Sequence, residues 1–345
     1  MVLSSISSTI ARAASQDRPY EILLFPSAHI EVRPDADESD HKAFELEIAS
    51  GAVYSWKYKN FRNIGEAYIS NHEMELERLQ FGRQFPKQTL LWLGRLHTPL
   101  GFWNSEYHHG LHLQSSVHRP GIVEYEDAGG ILPNHVIGML LRKNQNIGSS
   151  IVNVSFAFGS AAKIKDRELS SFNLDFESGF ADSRHLTARI YFQPDELDEL
   201  KYGIFYSQST IPTDTNNLDK VRQKIFGAYT YQNWLAFNLT AATYYVNNDL
   251  NFINKTQESN FLSNYIHLEY EVTGDWMLYT RWEFSKGADN DAYLKLLDHD
   301  FSDKILGGVR LDFTRRQAIS SEISRRSIDD DTHAHISIQW SAIFP

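Results

Sequence analysis

The chain has 345 residues, with 33 Lys and Arg against 44 Asp and Glu, a formal net charge of −11, and no cysteine. Lack of cysteine excludes disulfides, thiolate metal sites and a cysteine nucleophile, and the acidic balance argues against nucleic acid, whose phosphates need a concentrated basic surface. A mean hydropathy of −0.41 is too polar for a helical membrane protein, although hydrophobic residues reach 42%, and the 17 Tyr, 21 Phe and 7 Trp suit β structure and interfacial belts.

Residues 1–19 hold a Ser-diluted apolar stretch and the triplet Ala11-Arg12-Ala13, read as a degenerate signal or a disordered segment. Residues 20–345 read as one domain. Its first clear strand has Phe44, Leu46, Ile48, Ala52, Tyr54, Trp56 and Tyr58 on one face and Glu45, Glu47, Ser55 and Lys57 on the other. The region 61–83 has poor periodicity. Val152, Val154, Phe156 and Phe158 then oppose Asn153 and Ser155, and Leu186, Ala188, Ile190 and Phe192 oppose Thr187, Arg189 and Tyr191.

Ile225 to Asn248 has no charged residue and is long enough to suggest a membrane helix. Its Gln232, Asn233, Asn238, Thr240 and Thr243, with abundant Tyr, predict instead two strands turning near Tyr231–Asn233. Further on, Ile266, Leu268, Tyr270 and Val272 oppose His267, Glu269 and Glu271. Trp276, Leu278, Trp282 and Phe284 oppose Arg281 and Glu283, and Ile305, Val309, Leu311 and Phe313 oppose Arg310 and Asp312. Finally Ile336, Ile338, Trp340, Ala342 and Phe344 alternate with His335, Ser337, Gln339 and Ser341.

Each segment is long enough for a tilted strand to cross a bilayer, about 9–11 residues. In a soluble sandwich, strands are shorter and one face fills a common core. Here the second face carries charge on strand after strand, which suits lipid outside and water inside. Short connections, including Lys143–Asn146 and Tyr231–Asn233, alternate mostly with longer ones, including 98–133, 161–183 and 248–260. Eight loops and seven turns predict an all-β, transmembrane, antiparallel up-and-down barrel of about 16 strands, with 172–180 as a possible extra strand.

This architecture resembles that of the bacterial outer-membrane porins. The more specific matches are the strand His333–Phe344, with an aromatic at Phe344 but Pro345 after it, and the stretch Gly94–Asn104, which looks like a strand entering a long third loop. The resemblance implies that loop 98–133 folds into the lumen, that the protein lies in a bacterial outer membrane against lipid, and that it forms a homotrimer. It also implies a water-filled channel for passive diffusion of small hydrophilic solutes or ions, without cofactor or resident metal.

The loop sets Glu106, Glu124, Glu126 and Asp127 against a lone Arg119, a formal charge of −3. With Arg95, Arg189, Arg281 and Arg310 on the pore wall, these acids predict a transverse field at a constriction. Inward Glu45, Glu47, Glu269, Glu283 and Asp312 are the alternative partners for those arginines. His108, His109, His112 and His118 read as loop anchors or pH-sensitive groups, since their loop spacing fixes no metal geometry. No Ser–His pair falls on the apolar face of the clear strands, so an enzyme is not expected. The alternative function is a non-conducting barrel serving as receptor, scaffold or metal-binding surface protein.

Overall fold

The computed structural model describes residues 20–34, 44–72, 74–107, 111–126, 129–174, 179–195, 200–215, 217–299, 303–328 and 331–345. Among the described residues sixteen antiparallel strands close a barrel. They are β1 (Tyr20–Val32), β2 (Phe44–Tyr58), β3 (Phe61–Ser70), β4 (Met74–Phe85), β5 (Thr89–His97), β6 (His135–Ile147) and β7 (Ser150–Ser160), then, after a small hairpin of β8 (Ala162–Lys165) and β9 (Glu168–Ser171), β10 (Arg184–Gln193) and β11 (Lys201–Pro212). The circuit continues through β12 (Leu218–Trp234), β13 (Phe237–Phe252), β14 (Thr256–Thr273), β15 (Trp276–Lys286), β16 (Asp303–Thr314), β17 (Gln317–Ile328) and β18 (Asp331–Ala342). Strand β18 pairs with β1, and Phe344 extends the seam through Leu24 N–H to Phe344 O at 2.8 Å and Phe344 N–H to Leu24 O at 2.9 Å.

The alternation decides which solvent each face meets. Ile338, Trp282 and Ile305 stand outward with exposures of 49%, 53% and 55%, while inward His335, Gln339, Arg281 and Arg310 are buried. Rows of large apolar side chains around a closed sheet form a lipid-facing surface. Closure pairs every strand on both sides, as backbone crossing hydrocarbon requires. No helix among the described residues is long and apolar enough to cross a membrane, and Ile225 to Asn248 lies in β12 and β13.

Several expected boundaries move, each for a physical reason. The turn expected at Lys143–Asn146 falls inside β6, which continues until Gly148 supplies a positive φ of 63°. The turn expected at Tyr231–Asn233 lies at Leu235-Ala236, and Asn233 Nδ2 donates to Asn238 Oδ1 at 2.6 Å across the hairpin. The loop expected over 248–260 shrinks to 253–255, because backbone pairing persists through Asp249↔Glu258 and Asn251↔Thr256. Apart from Leu250 and Phe252 that ladder is polar on both faces, so periodicity fades while the hydrogen bonds continue.

The weak pattern at 61–83 reflects a register shift at Glu66/Ala67 that buries Glu77 and Arg78 in succession. The additional strands of loop 161–183 are β8 and β9, a two-stranded sheet separate from the barrel sheet, and residues 175–178 of the expected 172–180 strand lie outside the described residues. The expected segment 1–19 likewise lies outside them.

One stretch of wall breaks the expected polar interior. Phe205, Val221, Ile225, Tyr229, Tyr244, Val246, Phe261 and Tyr265 point inward from β11 to β14 into one apolar core. Phe205 and Tyr229 lie over their cross-strand partners Gly227 and Gly203, where an added Cβ would come within 2.0 and 2.2 Å of the rings. A wall so apolar needs something apolar to cover it.

Candidate functional site: the loop inside the barrel

The cover is the loop between β5 and β6. Its ends are tied where Thr98 N–H donates to Asn134 O at 2.8 Å and Thr98 Oγ1 to Pro133 O at 3.1 Å. Gly101, at φ 75°, turns the chain where a side chain would strike Tyr244 Oη. A helical turn, Trp103–Glu106, follows. Leu100, Phe102, Trp103, Ile122, Val123, Ile131 and Leu132 are buried in the same core as the inner wall of β11–β14. Phe102 stacks on Tyr231 with centroids 4.8 Å apart, and Trp103 meets Tyr265 edge-on at 6.2 Å. Each such side chain contributes about 1.5–3 kcal/mol by leaving water, so this half of the loop is held by packing.

The other half is held by polar groups of β14 to β17. Arg281 donates to Ser116 Oγ at 3.1 Å, His118 O at 2.9 Å and Arg119 O at 2.8 Å, and pairs with Glu283 at 2.8 Å. Arg310 donates to Gln114 O at 2.6 Å and pairs with Asp312 at 2.7 Å. Glu322 accepts from Val117 N–H at 3.1 Å, and Glu283 from Gly121 N–H at 2.7 Å. Buried charges with several hydrogen bonds and an opposite partner are the tolerable kind.

Arg95, wholly buried, donates to Glu77 O at 3.2 Å, Ser171 Oγ at 2.9 Å and Phe172 O, joining loop 161–183 to the wall. Arg189 donates to Gly101 O at 3.3 Å and to Ser105 Oγ. It also lines an open cavity. Inward Glu283 and Asp312 thus pair with Arg281 and Arg310, as one of the sequence alternatives had them.

The loop acids take different places. Glu126 is buried and accepts from Asn134 N–H at 2.6 Å and His135 N–H at 3.1 Å, with its second oxygen 3.0 Å from His135 Nδ1. Burial alone would raise its pKa, but His135 and these N–H groups hold it below the usual carboxylate range. Glu124 is half-buried, and Arg119 stacks on Tyr125 at 3.7 Å. Glu106 is exposed, 3.5 Å from Lys201 Nζ. Asp127, His108 and His109 lie outside the described residues. His112 is buried beside Ser341 and Arg310, and burial with that positive charge lowers its pKa to about 4. His118 Nε2 and Nδ1 lie 2.8 Å from Glu31 and Glu322.

A Ser, a His and an acid do meet here. Ser115 Oγ donates to Glu269 Oε1 at 2.5 Å and lies 3.0 Å from His267 Nε2. That same nitrogen faces Glu269 at 3.2 Å. A relay needs the acid on the other ring nitrogen. All three residues are buried under the loop, so the cluster is a loop anchor.

Among the described residues, open space lies at the end of the barrel with the short turns. A cavity of about 560 Å³ is lined by Arg62, Gln84, Glu106, Arg142, Asn144, Asn153, Arg189 and Tyr191, among others. A smaller one of about 50 Å³, sharing Ser105 and Arg142, continues toward Arg78 and His97. Arg62 and Arg142 escaped the sequence reading. Arg142 alternates with outward Leu141, but adjacent apolar Leu140 and Leu141 blur its parity, and the bulge hides that of Arg62.

The class of protein is now defined: a closed sixteen-strand transmembrane barrel whose long third loop packs inside the lumen, the porin fold. No protein-family model and no curated protein matches the sequence. Among solved structures it is similar to Salmonella typhi OmpF in complex with daunomycin, at 11% identity and TM-score 0.64 over 94% of this chain and 97% of that one. The anion-selective porin of Comamonas acidovorans aligns at 10% identity and TM-score 0.64 over 94% and 100%. The outer-membrane channel DcaP of Acinetobacter baumannii aligns at 11% and 0.60 over 94% and 97%. At these identities the likeness is one of fold.

Proposed function

We propose that this chain is a bacterial outer-membrane channel for passive diffusion of small hydrophilic solutes, selecting by size and charge and catalysing nothing. The observation behind this reading is the polar cavity between the helical turn of the loop and the wall of β3 to β10. Its three arginines, Arg62, Arg142 and Arg189, outnumber the single acid Glu106, so small anions are the favoured solutes. Between low-dielectric walls such charges act strongly on a passing ion. Glu106 against the arginines is the transverse field of this constriction. Arg95, Arg281, Arg310 and Glu126 hold the frame. Similarity to porins supports a trimer.

A second reading, a barrel closed by its loop, is favoured by the apolar core joining that loop to β11–β14. Single-channel recording in planar bilayers separates the two. Discrete conductance with an anion-favouring reversal potential in a KCl gradient is expected of the channel. Silence from folded protein would reject it.

A further inference from the structure

We propose that His29 and Glu31 of β1 and His118 of the lumenal loop form a binding site for a divalent transition-metal ion of the zinc type, clamping the loop to the wall. One ligand atom from each residue lies within 4.8 Å of the other two. Glu31 Oε2 and His118 Nε2 are 2.8 Å apart, and the rings of His29 and His118 meet edge-on at 5.4 Å. Around a tetrahedral zinc, with bonds of about 2.0–2.2 Å, neighbouring ligand atoms stand roughly 3.4 Å apart. Small shifts at three side-chain ends reach that geometry and leave a fourth position for water.

The surroundings are those of a ligand set. Each candidate ligand has its other polar atom facing a second group. His118 Nδ1 lies 2.8 Å from Glu322 Oε1, and Glu31 Oε1 lies 2.8 Å from His335 Nδ1. His29 Nδ1 faces Glu47 Oε2 at 4.0 Å. Its Nε2 is buried with no hydrogen-bond partner among the described residues. A histidine held through one nitrogen by a carboxylate, with the other directed at a common point, is the outer-shell arrangement of metal centres.

Charge and access agree. Glu31, Glu47 and Glu322 supply negative potential, and Arg33 Nε approaches Glu31 at 3.4 Å on Oε1, the oxygen turned toward His335. The three side chains keep 15%, 9% and 16% exposure, so an ion can reach them from the lumen. Two imidazoles and a carboxylate suit zinc and its neighbours rather than calcium or magnesium. Binding replaces the Glu31–His118 hydrogen bond by two bonds to the ion and releases any proton on His118 Nε2 to water. A second group, Glu77, His97 and His135, is more deeply buried and sits beside Arg78, which shares Glu66 with His97. That guanidinium disfavours a cation there.

The test is calorimetric titration of the folded, detergent-solubilised protein with zinc chloride, repeated with cobalt(II) as a spectroscopic probe. One saturable site is expected, with visible bands of nitrogen- and oxygen-ligated cobalt. His29→Ala is the deciding variant: among the described residues His29 Nε2 has no hydrogen-bond partner and Nδ1 stands 4.0 Å from Glu47, so the fold survives while saturable binding is lost. Glu322→Gln should weaken zinc by about 10–100-fold, as outer-shell changes do. Absence of saturable binding to the wild type overturns the site. So does unchanged affinity in a His29→Ala variant with wild-type melting, which would assign the ion to other histidines.

Discussion

Arg281 Nη1 donates to the His118 carbonyl at 2.9 Å, joining a wall strand to a loop residue 163 positions earlier. Its other nitrogens hold Arg119 O and Glu283. Arg281→Ala would leave the buried Glu283 carboxylate without its guanidinium partner and two loop carbonyls without their donor, a loss of about 3–5 kcal/mol by analogy with other broken buried pairs. Thermal unfolding in detergent should show a clearly lowered Tm, and bilayer recordings should turn noisy as the loop loosens.

Charge at the turn-end cavity sets ion preference in the proposed channel. Replacing Arg142 and Arg189 by Gln should move the reversal potential in a KCl gradient toward cations, and Glu106→Gln should move it toward anions. Each removes a unit charge from a confined aqueous gap, where screening is weak. An unmoved potential in all three would show that this cavity is not on the ion path.

Trp103 is 1% exposed and touches Tyr107, Tyr265 and the Arg281 guanidinium. Trp103→Ala should cost about 3–5 kcal/mol, the usual range for such a truncation. Its chain neighbours Asn104 and Ser105 line the cavities, so conductance should rise as stability falls. Calorimetry and single-channel current on the same preparation check both signs.

Acid should loosen the loop in two stages. The His112 pKa is lowered to about 4, by burial first and Arg310 second, so its neutral form belongs to the fold. That stabilisation is complete above the ordinary value near 6.5 and fades as pH falls from there toward 4. Glu126, also lowered, adds stability above the ordinary carboxylate range that is lost at still lower pH. Melting followed from pH 7 to 4 should show a falling Tm, and His112→Gln should flatten the upper part of the curve.

What the sequence determined by itself was the barrel. A period of two needs no tertiary information: Ile336, Ile338 and Trp340 against His335, Ser337 and Gln339 already specify two solvents, and repetition around the chain specifies closure. The loop's inward fold came from resemblance and its reason did not, because Phe205, Tyr244 and Tyr265 break the polar-inside rule, and their cover appears only when Phe102 and Trp103 of a distant loop are seen in the same core. Only the tertiary structure decided which charges are spent. Arg281, Arg310 and Arg189 share one inward parity and all three donate to loop carbonyls, yet Arg281 and Arg310 also pair with acids of their own strands while Arg189 lines the cavity. Parity reports the side of the sheet; the partner across the lumen depends on how the barrel closes, which no local pattern encodes.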